Sequence, residues 1–501
     1  MRSFASIIKA VSPEKAVSPE AFPARVYSET VLAPNFENAQ RHFLDALLDI
    51  HRAHTRMLAS REIITRADER TLIAALDGLD RSAISQMKYD GSHEDLFFYI
   101  ESQLEQSAGA EIAGKMHTGR SRNDIAITLY RMTARRELLA FAAAVAGLRS
   151  VLLDLAGRNL ETVMPAHTHT QPAQPTTLAH YSIAVCEFLA RDADRIRHAF
   201  SSVNRSPLGA AALTTTGFPI NREETAEALG FEGLASNSYA AIAAIDYITE
   251  SAATVAVTMV NLGKLIQDLL LWSTREFGFL RLADAFVQTS SIMPQKRNPV
   301  ALEHARVLAS RALGEAQAVF TCAHNTPFGD INDSEDDLHP LVSTMFTDAI
   351  RALRLLSGAM ASVEIDQAEM ARRAGKEFLT VTELADTLVR REKMSFREAH
   401  ALVGQVVRAC GRDESPSAIR AALFALRPSL RLAPEEIEQA LDPVHFVRIR
   451  NIVGGPAPER TAEALAQALS EQREIDTWIE AKSTLLDDAQ DRLRRQVTNQ
   501  P

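Results

Sequence analysis

One polar segment carries the residues best suited to chemistry: Thr289-Ser290-Ser291-Ile292-Met293-Pro294-Gln295-Lys296-Arg297-Asn298-Pro299. Pro294 and Pro299 fix φ and remove backbone donors, which predicts a loop. A serine hydroxyl is a poor base at its free pKa, and it serves as one only if loop amides and a nearby cation stabilise the alkoxide. Lys296 is the candidate cation. Loops on rigid scaffolds often carry catalytic groups, so we expect a functional loop here, with a plain helix connector as the alternative.

Two further polar segments have a similar character. The first, Gly114-Lys115-Met116-His117-Thr118-Gly119-Arg120-Ser121-Arg122-Asn123-Asp124, is rich in donors suited to carboxylates, and its alternative is a solvated loop. The second, Met164-Pro165-Ala166-His167-Thr168-His169-Thr170-Gln171-Pro172-Ala173-Gln174-Pro175, is predicted to be a Pro-bounded loop entering a helix. Its two histidines are either functional or satisfied structural residues.

Long apolar helical patterns must position these segments. They predict helices at about 124–160, 176–204, 240–275, 300–322 and 340–362. Helices of roughly 25–35 residues span about 35–50 Å, and they bury more apolar surface than one chain easily covers, so bundling with partner subunits is expected. Two short strands are predicted within 207–235, and shorter helices beyond 375.

The predicted fold is therefore mainly α, with three domains around a central bundle of long helices. A length of 501 residues fits about three domains. We expect an N-terminal helical domain at 26–122, a central long-helix domain at 123–372 and a C-terminal helical domain at 373–501. Residues 1–25, which contain the tandem Ala-Val-Ser-Pro-Glu repeat, are predicted to be a disordered lead-in.

Composition narrows the function classes. A net charge of -10 without a basic stripe argues against a nucleic-acid partner. Three widely spaced cysteines without metal-ligand spacing indicate a reducing compartment and no structural zinc. No uninterrupted apolar run reaches ~18 residues, so no membrane segment is expected. Neither a signal peptide nor a nucleotide-binding glycine motif is visible. The expected location is the cytoplasm.

The three polar segments together resemble the signature regions of the aspartase/fumarase superfamily, and most closely those of the argininosuccinate lyase family. The stretches that carry the resemblance span about residues 35 to 465: His117-Thr118-Gly119-Arg120-Ser121-Arg122-Asn123-Asp124, Pro207-Leu208-Gly209, Ser290 to Pro299, Leu384-Ala385-Asp386, Phe396-Arg397-Glu398-Ala399-His400 and Gly454-Gly455-Pro456-Ala457-Pro458.

This resemblance implies a homotetramer with a shared 20-helix core and active sites built from loops of three subunits. The implied reaction is elimination of fumarate from an N-substituted aspartate, with argininosuccinate giving arginine in arginine biosynthesis. The resemblance implies no metal and no organic cofactor. The substrate is a small dicarboxylate amino-acid derivative.

The resemblance also assigns roles to residues. Ser290 is the base for the Cβ proton, and Lys296 supplies a positive charge. His169 protonates the departing nitrogen or binds a carboxylate, and Glu303 pairs with it and fixes its tautomer. The other implied substrate-binding residues are Ser121, Arg122, Asn123, Thr168, Gln171, Ser291, Met293 and Asn298.

Several positions depart from the family pattern. An N-terminal Gly-Gly-Arg-Phe segment is missing from residues 20–34, Phe97 stands at a histidine position, and Ile125 replaces a glutamine. After Asn237-Ser238, the usual Asp and Arg give way to Ala240, Ala244 and Ile245, with only Asp246 kept. In the acidic loop, Asp330-Ile331-Asn332-Asp333-Ser334-Glu335 ends on an acid where the family has lysine.

These departures lie near the family's pocket for the arginine half, so two alternatives remain. The first is the same elimination on another amine half, such as ethylenediamine-disuccinate. The second is a non-catalytic structural relative, like the δ-crystallins. Adenylosuccinate lyase and aspartase fit less well, because the His117–Asp124 segment is not theirs.

Overall fold

The structure is a computed structural model that describes residues 22–332 and 336–495. Most of the predicted lead-in, residues 1–21, lies outside the described residues. So does Glu335, the acid at the family's lysine position, together with Asp333 and Ser334.

The N-terminal part is a group of short and medium helices. They are α1 (Arg25–Tyr27), continued by a π-helical turn (Ser28–Leu32), α2 (Ala33–His42), α3 (Leu44–Ser60), α4 (Arg66–Asp77), α5 (Arg81–Gln86), α6 (Leu96–Ala108) and α7 (Ala110–Lys115). α3 is buried along most of its length, including several polar residues. The Asp95 carboxylate accepts the Phe98 N–H at 2.8 Å and so caps α6.

Five long helices form the centre, which confirms the mainly α prediction. They are α8 (Arg122–Gly157), α9 (Leu178–Val203), α12 (Asp246–Trp272), α13 (Val300–Ala323) and α14 (Leu338–Ala361), with the short α10 (Arg222–Ala228) and α11 (Ser238–Ala243) between α9 and α12. Their alanine, leucine and valine side chains build one continuous apolar core. At 36 residues, α8 is about 54 Å long.

The bundle has two ends that lie far apart. The rings of Tyr181 and Trp272 are 4.7 Å apart, which places the start of α9 beside the end of α12. We call this the hairpin end, because the β-hairpin that follows α8 lies here. The rings of Tyr130 and His339 stack at 3.5 Å, which places the start of α8 beside the start of α14. We call this the acidic-loop end, after residues 329–337 that precede α14.

Strands are few and short. β1 (Val163–Thr168) pairs with β2 (Gln171–Thr177), β3 (Leu280–Arg281) with β6 (Glu364–Ile365), and β4 (Gln288–Thr289) with β5 (Arg297–Asn298). The segment predicted as a loop before α9 is thus a β-hairpin. Its prolines, Pro165, Pro172 and Pro175, hid it, and they are tolerated because a two-stranded ribbon consists of edge strands alone.

The two strands predicted within 207–235 are wrong. This segment forms turns and α10, with one isolated bridge between Ser206 and Leu234. Turn hydrogen bonds and side chains satisfy its backbone instead of a sheet. The Asp124 carboxylate accepts the N–H groups of Gly209 and Ala211 at 2.8 and 2.9 Å. The Arg222 guanidinium donates to nearby carbonyl oxygens, those of Pro207, Leu208 and Ala235.

The C-terminal part begins with short helices, as predicted. They are α15 (Gln367–Ala374), α16 (Val381–Glu392), α17 (Phe396–Cys410), α18 (Pro416–Leu426), α19 (Pro434–Leu441) and α20 (Pro443–Arg448). Helices α16 to α19 share a separate apolar cluster. The boundaries at 122 and 372 stay a prediction.

The prediction of short helices beyond residue 375 is wrong for the last helix, the 37-residue α21 (Pro458–Arg494). It packs along α8 and α9, so this last helix belongs by its contacts to the central bundle. The buried Arg149 of α8 donates to Ala468 O at 2.9 Å, Gln472 Oε1 at 3.0 Å and Glu471 Oε2 at 3.0 Å, which joins the two helices.

Two core helices resemble membrane spans by length and composition. Arg122–Gly157 and Asp246–Trp272 both contain sufficiently apolar windows. In this structure α8 packs against α9, α14 and α21, and α12 packs against α9 and α13. The buried parts of these windows, 61% in α8 and 44% in α12, therefore meet other helices of the same chain.

His339, at the start of α14, makes the stability of the fold sensitive to acid. Burial lowers its pKa to about 3, so the folded chain keeps this ring neutral. In the unfolded chain a histidine has a pKa of about 6.5 and takes up a proton below that pH. Between pH 6.5 and 4 the unfolded state thus binds more protons, and stability falls by about 1.4 kcal/mol per pH unit from this residue.

We expect His339→Phe, which keeps the ring against Tyr130, to remove that part of the slope. Urea unfolding of both proteins at several pH values between 4 and 7 measures it. The buried His51 and His54, whose pKa values burial also lowers, contribute equally to both proteins. Equal slopes would contradict the assignment.

Candidate active site

The serine loop lies at the hairpin end, between β4 and β5. Ser290 is half-buried, and its Oγ accepts the backbone N–H of Met293 at 3.1 Å and of Ile292 at 3.4 Å. Two amides aimed at one hydroxyl oxygen are the donors that an alkoxide needs. The rest of the loop is open to solvent, and Ile292 is 82% exposed.

Lys296 and Asn298 follow on the same loop. The backbone N–H of Lys296 closes a turn on Met293 O at 3.0 Å, while its side chain is exposed and forms no hydrogen bond or ion pair among the residues described. Asn298 pairs with Gln288 in the β4–β5 ladder. These side chains line an open cleft of about 1170 Å³, to which Met293 and Gln295 also contribute.

Arg297 anchors this loop to the bundle. Its guanidinium donates to Leu282 O at 2.8 Å and to the Asp284 carboxylate. The hydrogen bonds from Arg297 hold the pKa of Asp284 below its usual range. The base of the loop is thereby fixed, while the segment around Ile292 and Met293 protrudes into solvent.

The β1–β2 hairpin presents the second group of predicted residues at its tip. Thr168 and Gln171 are the last paired residues, and His169 and Thr170 form the two-residue turn. Both turn residues have positive φ, 53° and 60°, as a type I′ turn requires. A β-branched threonine is strained in this region, and such strain concentrates at functional sites. His169 is thus exposed at a rigid, strained tip.

Thr170→Gly should raise the stability of the fold. Glycine adopts positive φ without strain, so we expect a gain of about 1 kcal/mol in the free energy of unfolding. Denaturant unfolding measures it, and Thr176→Gly, on the paired part of β2, is the control that should destabilise. A loss of stability in Thr170→Gly would show that the turn is not strained.

The third group lies at the start of α8, at the acidic-loop end. Ser121 caps the helix: its Oγ accepts the Asn123 N–H at 3.4 Å, and its own N–H donates to Asp124 Oδ1 at 2.8 Å. The Ser121 hydroxyl also donates to Asn123 Oδ1 at 2.9 Å. The Arg122 guanidinium contacts Glu94 Oε1 at 3.2 Å and Asp95 Oδ2 at 3.0 Å. To bind a substrate carboxylate, Arg122 would have to exchange these partners.

A cavity of about 110 Å³ opens beside Arg122. Its walls are mainly apolar and include Phe97, at the position where the family pattern has histidine, and Tyr130. Asp95 and Asp336 also line it. Burial raises the pKa of both carboxyls, and the charge of Asp95 raises the pKa of Asp336 further.

One chain does not bring the predicted residues together. Ser121 and Asn123 lie at one end of α8, and the hairpin that carries His169 follows the other end, about 54 Å away. Among the described residues, no hydrogen bond or ion pair joins the start of α8, the hairpin tip and the serine loop. Glu303 is exposed on the first turn of α13 and forms no ion pair with His169 within the chain.

Sequence reasoning counted Arg120 only as one of the donors of its segment and missed its contact with His51. The guanidinium of Arg120 contacts His51 Nδ1 at 2.9 Å in the interior beneath Ser121. The only signal was the basic residue just before Ser121 in the donor-rich segment. No group of three possible metal ligands occurs within residues 22–332 and 336–495. The expected absence of a metal stays a prediction.

Two family models match the chain. A family model described as Lyase matches residues 35–314, which contain all three groups of candidate residues. A second, described as Argininosuccinate lyase C-terminal, matches residues 378–448, the region of the separate C-terminal cluster.

Individual relatives match nearly the whole chain. Argininosuccinate lyase 2 of Agrobacterium fabrum is 42% identical over 453 residues, covering 89% of this chain and 90% of the relative. Argininosuccinate lyase of Methanoculleus marisnigri is 40% identical, covering 90% and 92%. Among solved structures, EDDS lyase in complex with formate is 32% identical with a TM-score of 0.83, covering 94% of both chains.

A more distant structure shares the fold alone. The 3-carboxy-cis,cis-muconate lactonizing enzyme from Pseudomonas putida has a TM-score of 0.71 at 21% identity, covering 90% of this chain and all of that one. The Lyase match extends over more than half of the chain, and relatives at about 40% identity extend over nine-tenths of it. The chain therefore belongs to the argininosuccinate lyase family of carbon–nitrogen lyases.

Proposed function

We propose that this chain cleaves argininosuccinate to arginine and fumarate, as an enzyme of arginine biosynthesis in the cytoplasm. The observation that carries the proposal is the Ser290 hydroxyl held by two loop amides, in a loop that also supplies Lys296 and Asn298. The identity to proteins named argininosuccinate lyase supports the choice of substrate.

The chemistry assigns a task to each group. Ser290 removes the Cβ proton next to a carboxylate, and the electron pair delocalises into that carboxylate. The doubly negative group needs preorganised donors, which Lys296 and Asn298 supply. The C–N bond then breaks as the C=C bond of fumarate forms, and the departing nitrogen takes a proton. His169 either donates that proton or binds a carboxylate, with Glu303 as its partner in the assembled site.

The remaining residues hold the substrate. Donors at the start of α8 suit the carboxylates of the fumarate half, since a serine, an arginine and an asparagine follow one another there. In this proposal the substrate-binding groups are Ser121, Arg122, Asn123, Thr168, Gln171, Ser291 and Met293. They come from the two ends of the bundle and from the serine loop.

A homotetramer unites these groups. Since about 54 Å separates the start of α8 from the hairpin, an antiparallel copy has to bring the hairpin end of one subunit to the acidic-loop end of another. Large apolar side chains on the outer faces of α12 and α13 support such an assembly: Val257, Val260, Val307 and Phe320 are 38–49% exposed. Exposed apolar stripes on long helices suit helix packing between subunits.

A second candidate is the same elimination on an amine half other than arginine. The cavity beside Arg122 favours it, because two carboxyls, Asp95 and Asp336, face a single arginine there and attract an amine-rich group. Phe97 at a family histidine position and the similarity to EDDS lyase also support it.

Parallel incubations separate the candidates. The purified protein is given argininosuccinate or ethylenediamine-disuccinate, and fumarate absorbance is followed to obtain kcat/KM for each. The proposal expects the higher value for argininosuccinate. Release from ethylenediamine-disuccinate alone would establish the second candidate, and release from neither would leave the amine unidentified or favour a structural, non-catalytic relative.

A further inference from the structure

Arg120 is a buried guanidinium with almost no acceptors. The residue is 6% exposed and directly precedes Ser121, the cap of α8. Its one hydrogen bond runs from Nη1 to His51 Nδ1 at 2.9 Å. Its Nε and Nη2 groups are buried and find no acceptor within the described residues. Three or more N–H donors of a charged group are therefore unsatisfied.

The neighbouring histidines add no negative charge. Because Arg120 donates to His51 Nδ1, the proton of that imidazole lies on Nε2, which is itself buried without an acceptor. His54 Nε2 lies 2.9 Å from Thr118 O, so this ring donates from Nε2 as well. Burial lowers the pKa of both histidines well below the usual range, and both rings are neutral.

Two carboxylates, Glu101 and Asp124, act on Arg120 through charge, but neither bonds to it within the described residues. Asp124 accepts the N–H groups of Ser121, Gly209 and Ala211. Glu101 lies 3.5 Å from His117 Nδ1. Burial lowers the pKa of Arg120 only to about 10, so the guanidinium is charged at neutral pH. Its charge is therefore not neutralised by a bonded anion.

Other buried arginines of the same chain are bonded differently. On α8, Arg135 is 3% exposed and donates to Asn204 Oδ1 at 2.9 Å and to Leu229 O at 2.6 Å. Arg149 donates to carbonyl and carboxylate oxygens of α21. These two arginines join segments of the fold through strong acceptors. Arg120 links no two segments through acceptors of this kind, so its burial lowers the stability of the fold.

The positive charge of Arg120, next to the start of α8, is suited to attracting an anionic ligand. The positive end of the 36-residue helix α8 lies beside it, and the two positive fields add. We propose that Arg120 is a positioning residue: through its charge it strengthens binding of the dicarboxylate half of the substrate at the Ser121-Arg122-Asn123 turn, while lowering the stability of the unliganded fold. This inference rests on the proposed function, which places the fumarate half at that turn.

The test uses the full chain and fumarate as the probe. Arg120→Met is compared with the native protein for thermal midpoint, for fumarate affinity by calorimetry, and for kcat and KM. We expect an equal or higher midpoint, fumarate affinity weaker by about tenfold or more, and a larger effect on KM than on kcat. Arg120→Lys, which keeps the charge, should recover part of the affinity.

Arg135→Met is the matched control, because it removes an equally buried arginine from the same helix. It should lower the thermal midpoint, since it leaves two acceptors unpaired, and it should leave fumarate affinity unchanged. Native-like fumarate affinity in Arg120→Met would overturn the proposal, and so would a failure of that variant to fold. Absence of fumarate binding by the native protein would contradict the proposed function, and this inference, which rests on it, would be contradicted as well.

Discussion

Replacing Ser290 with alanine should reduce fumarate release by about 10²–10⁴-fold, the range expected when a positioned proton-transfer group is lost. Two loop amides, those of Ile292 and Met293, would then face a methyl group, and no oxygen would be placed to take the Cβ proton. Substrate binding should persist, because the donors at the start of α8 and on the hairpin are untouched. The effect should therefore appear in kcat rather than in KM.

The same variant should fold normally. Ser290 lies in a solvent-facing loop outside the apolar core, and surface changes of this kind usually alter stability by less than about 0.5 kcal/mol. Thermal unfolding checks this. Ser310→Ala, an exposed serine on α13 that bonds only to Arg306 O, is the matched control and should keep full activity. An active Ser290→Ala protein would show that another residue is the base.

Two inactive variants should restore each other's activity when mixed. Ser290→Ala damages the serine loop at the hairpin end, and Asn123→Ala damages the start of α8 at the other end. In a tetramer whose sites combine these ends from different copies, random mixing leaves about a quarter of the sites with both groups intact. Co-refolding the two proteins and measuring fumarate release should give activity near that fraction, where each alone gives almost none.

The control for mixing pairs Ser290→Ala with Lys296→Met. Both changes lie in one loop of one chain, so every site receives a damaged loop whatever its composition, and no activity should return. Recovery in this control would point to exchange or contamination. No recovery in the first mixture, with mixed tetramers shown by native mass spectrometry, would mean that each site draws on a single copy.

The long helices could be predicted because their apolar residues are dense and periodic. The pattern at about 124–160 became α8, and those at 300–322 and 340–362 became α13 and α14 almost residue for residue. Helix α21 escaped because its surface is polar. Its buried residues form only a narrow stripe, among them Ala468, Ile475 and Leu486. Its place in the bundle depends on Arg149, a contact more than 300 residues away along the chain.

The predictions for the hairpin and for residues 207–235 were wrong in opposite ways: the first missed two strands, and the second predicted two strands that do not form. The prolines in β1 and β2 led to the prediction of a loop, although proline is tolerated in a two-stranded ribbon, where both strands are edge strands. The composition of residues 207–235 led to the prediction of two strands. The segment needs no sheet partner, because side chains such as those of Asp124 and Arg222 bond to its backbone. The hairpin pairing is local but was hidden by its prolines, whereas Asp124 lies more than 80 residues before the backbone that it satisfies, so no short window of sequence reveals that contact.

For the site, the sequence indicated which residue types matter but not their partners. Ser290 and its loop could be named, and Ser121, Arg122 and Asn123 could be named as carboxylate donors. That Arg122 already contacts Glu94 and Asp95 depends on how α6 docks against α8. That Arg120 lies unneutralised against His51 depends on α3. These contacts follow from tertiary packing, which residue spacing does not encode.

In the proposed function, the Ser290 loop drives elimination of fumarate from an N-substituted aspartate. Proton NMR of the native protein with argininosuccinate tests it most directly, because the olefinic signal of fumarate and the signals of free arginine can be followed together. We expect both products to appear in equal amounts with the native protein and neither to appear with Ser290→Ala. Arginine without fumarate, or equal product formation by the two proteins, would contradict it.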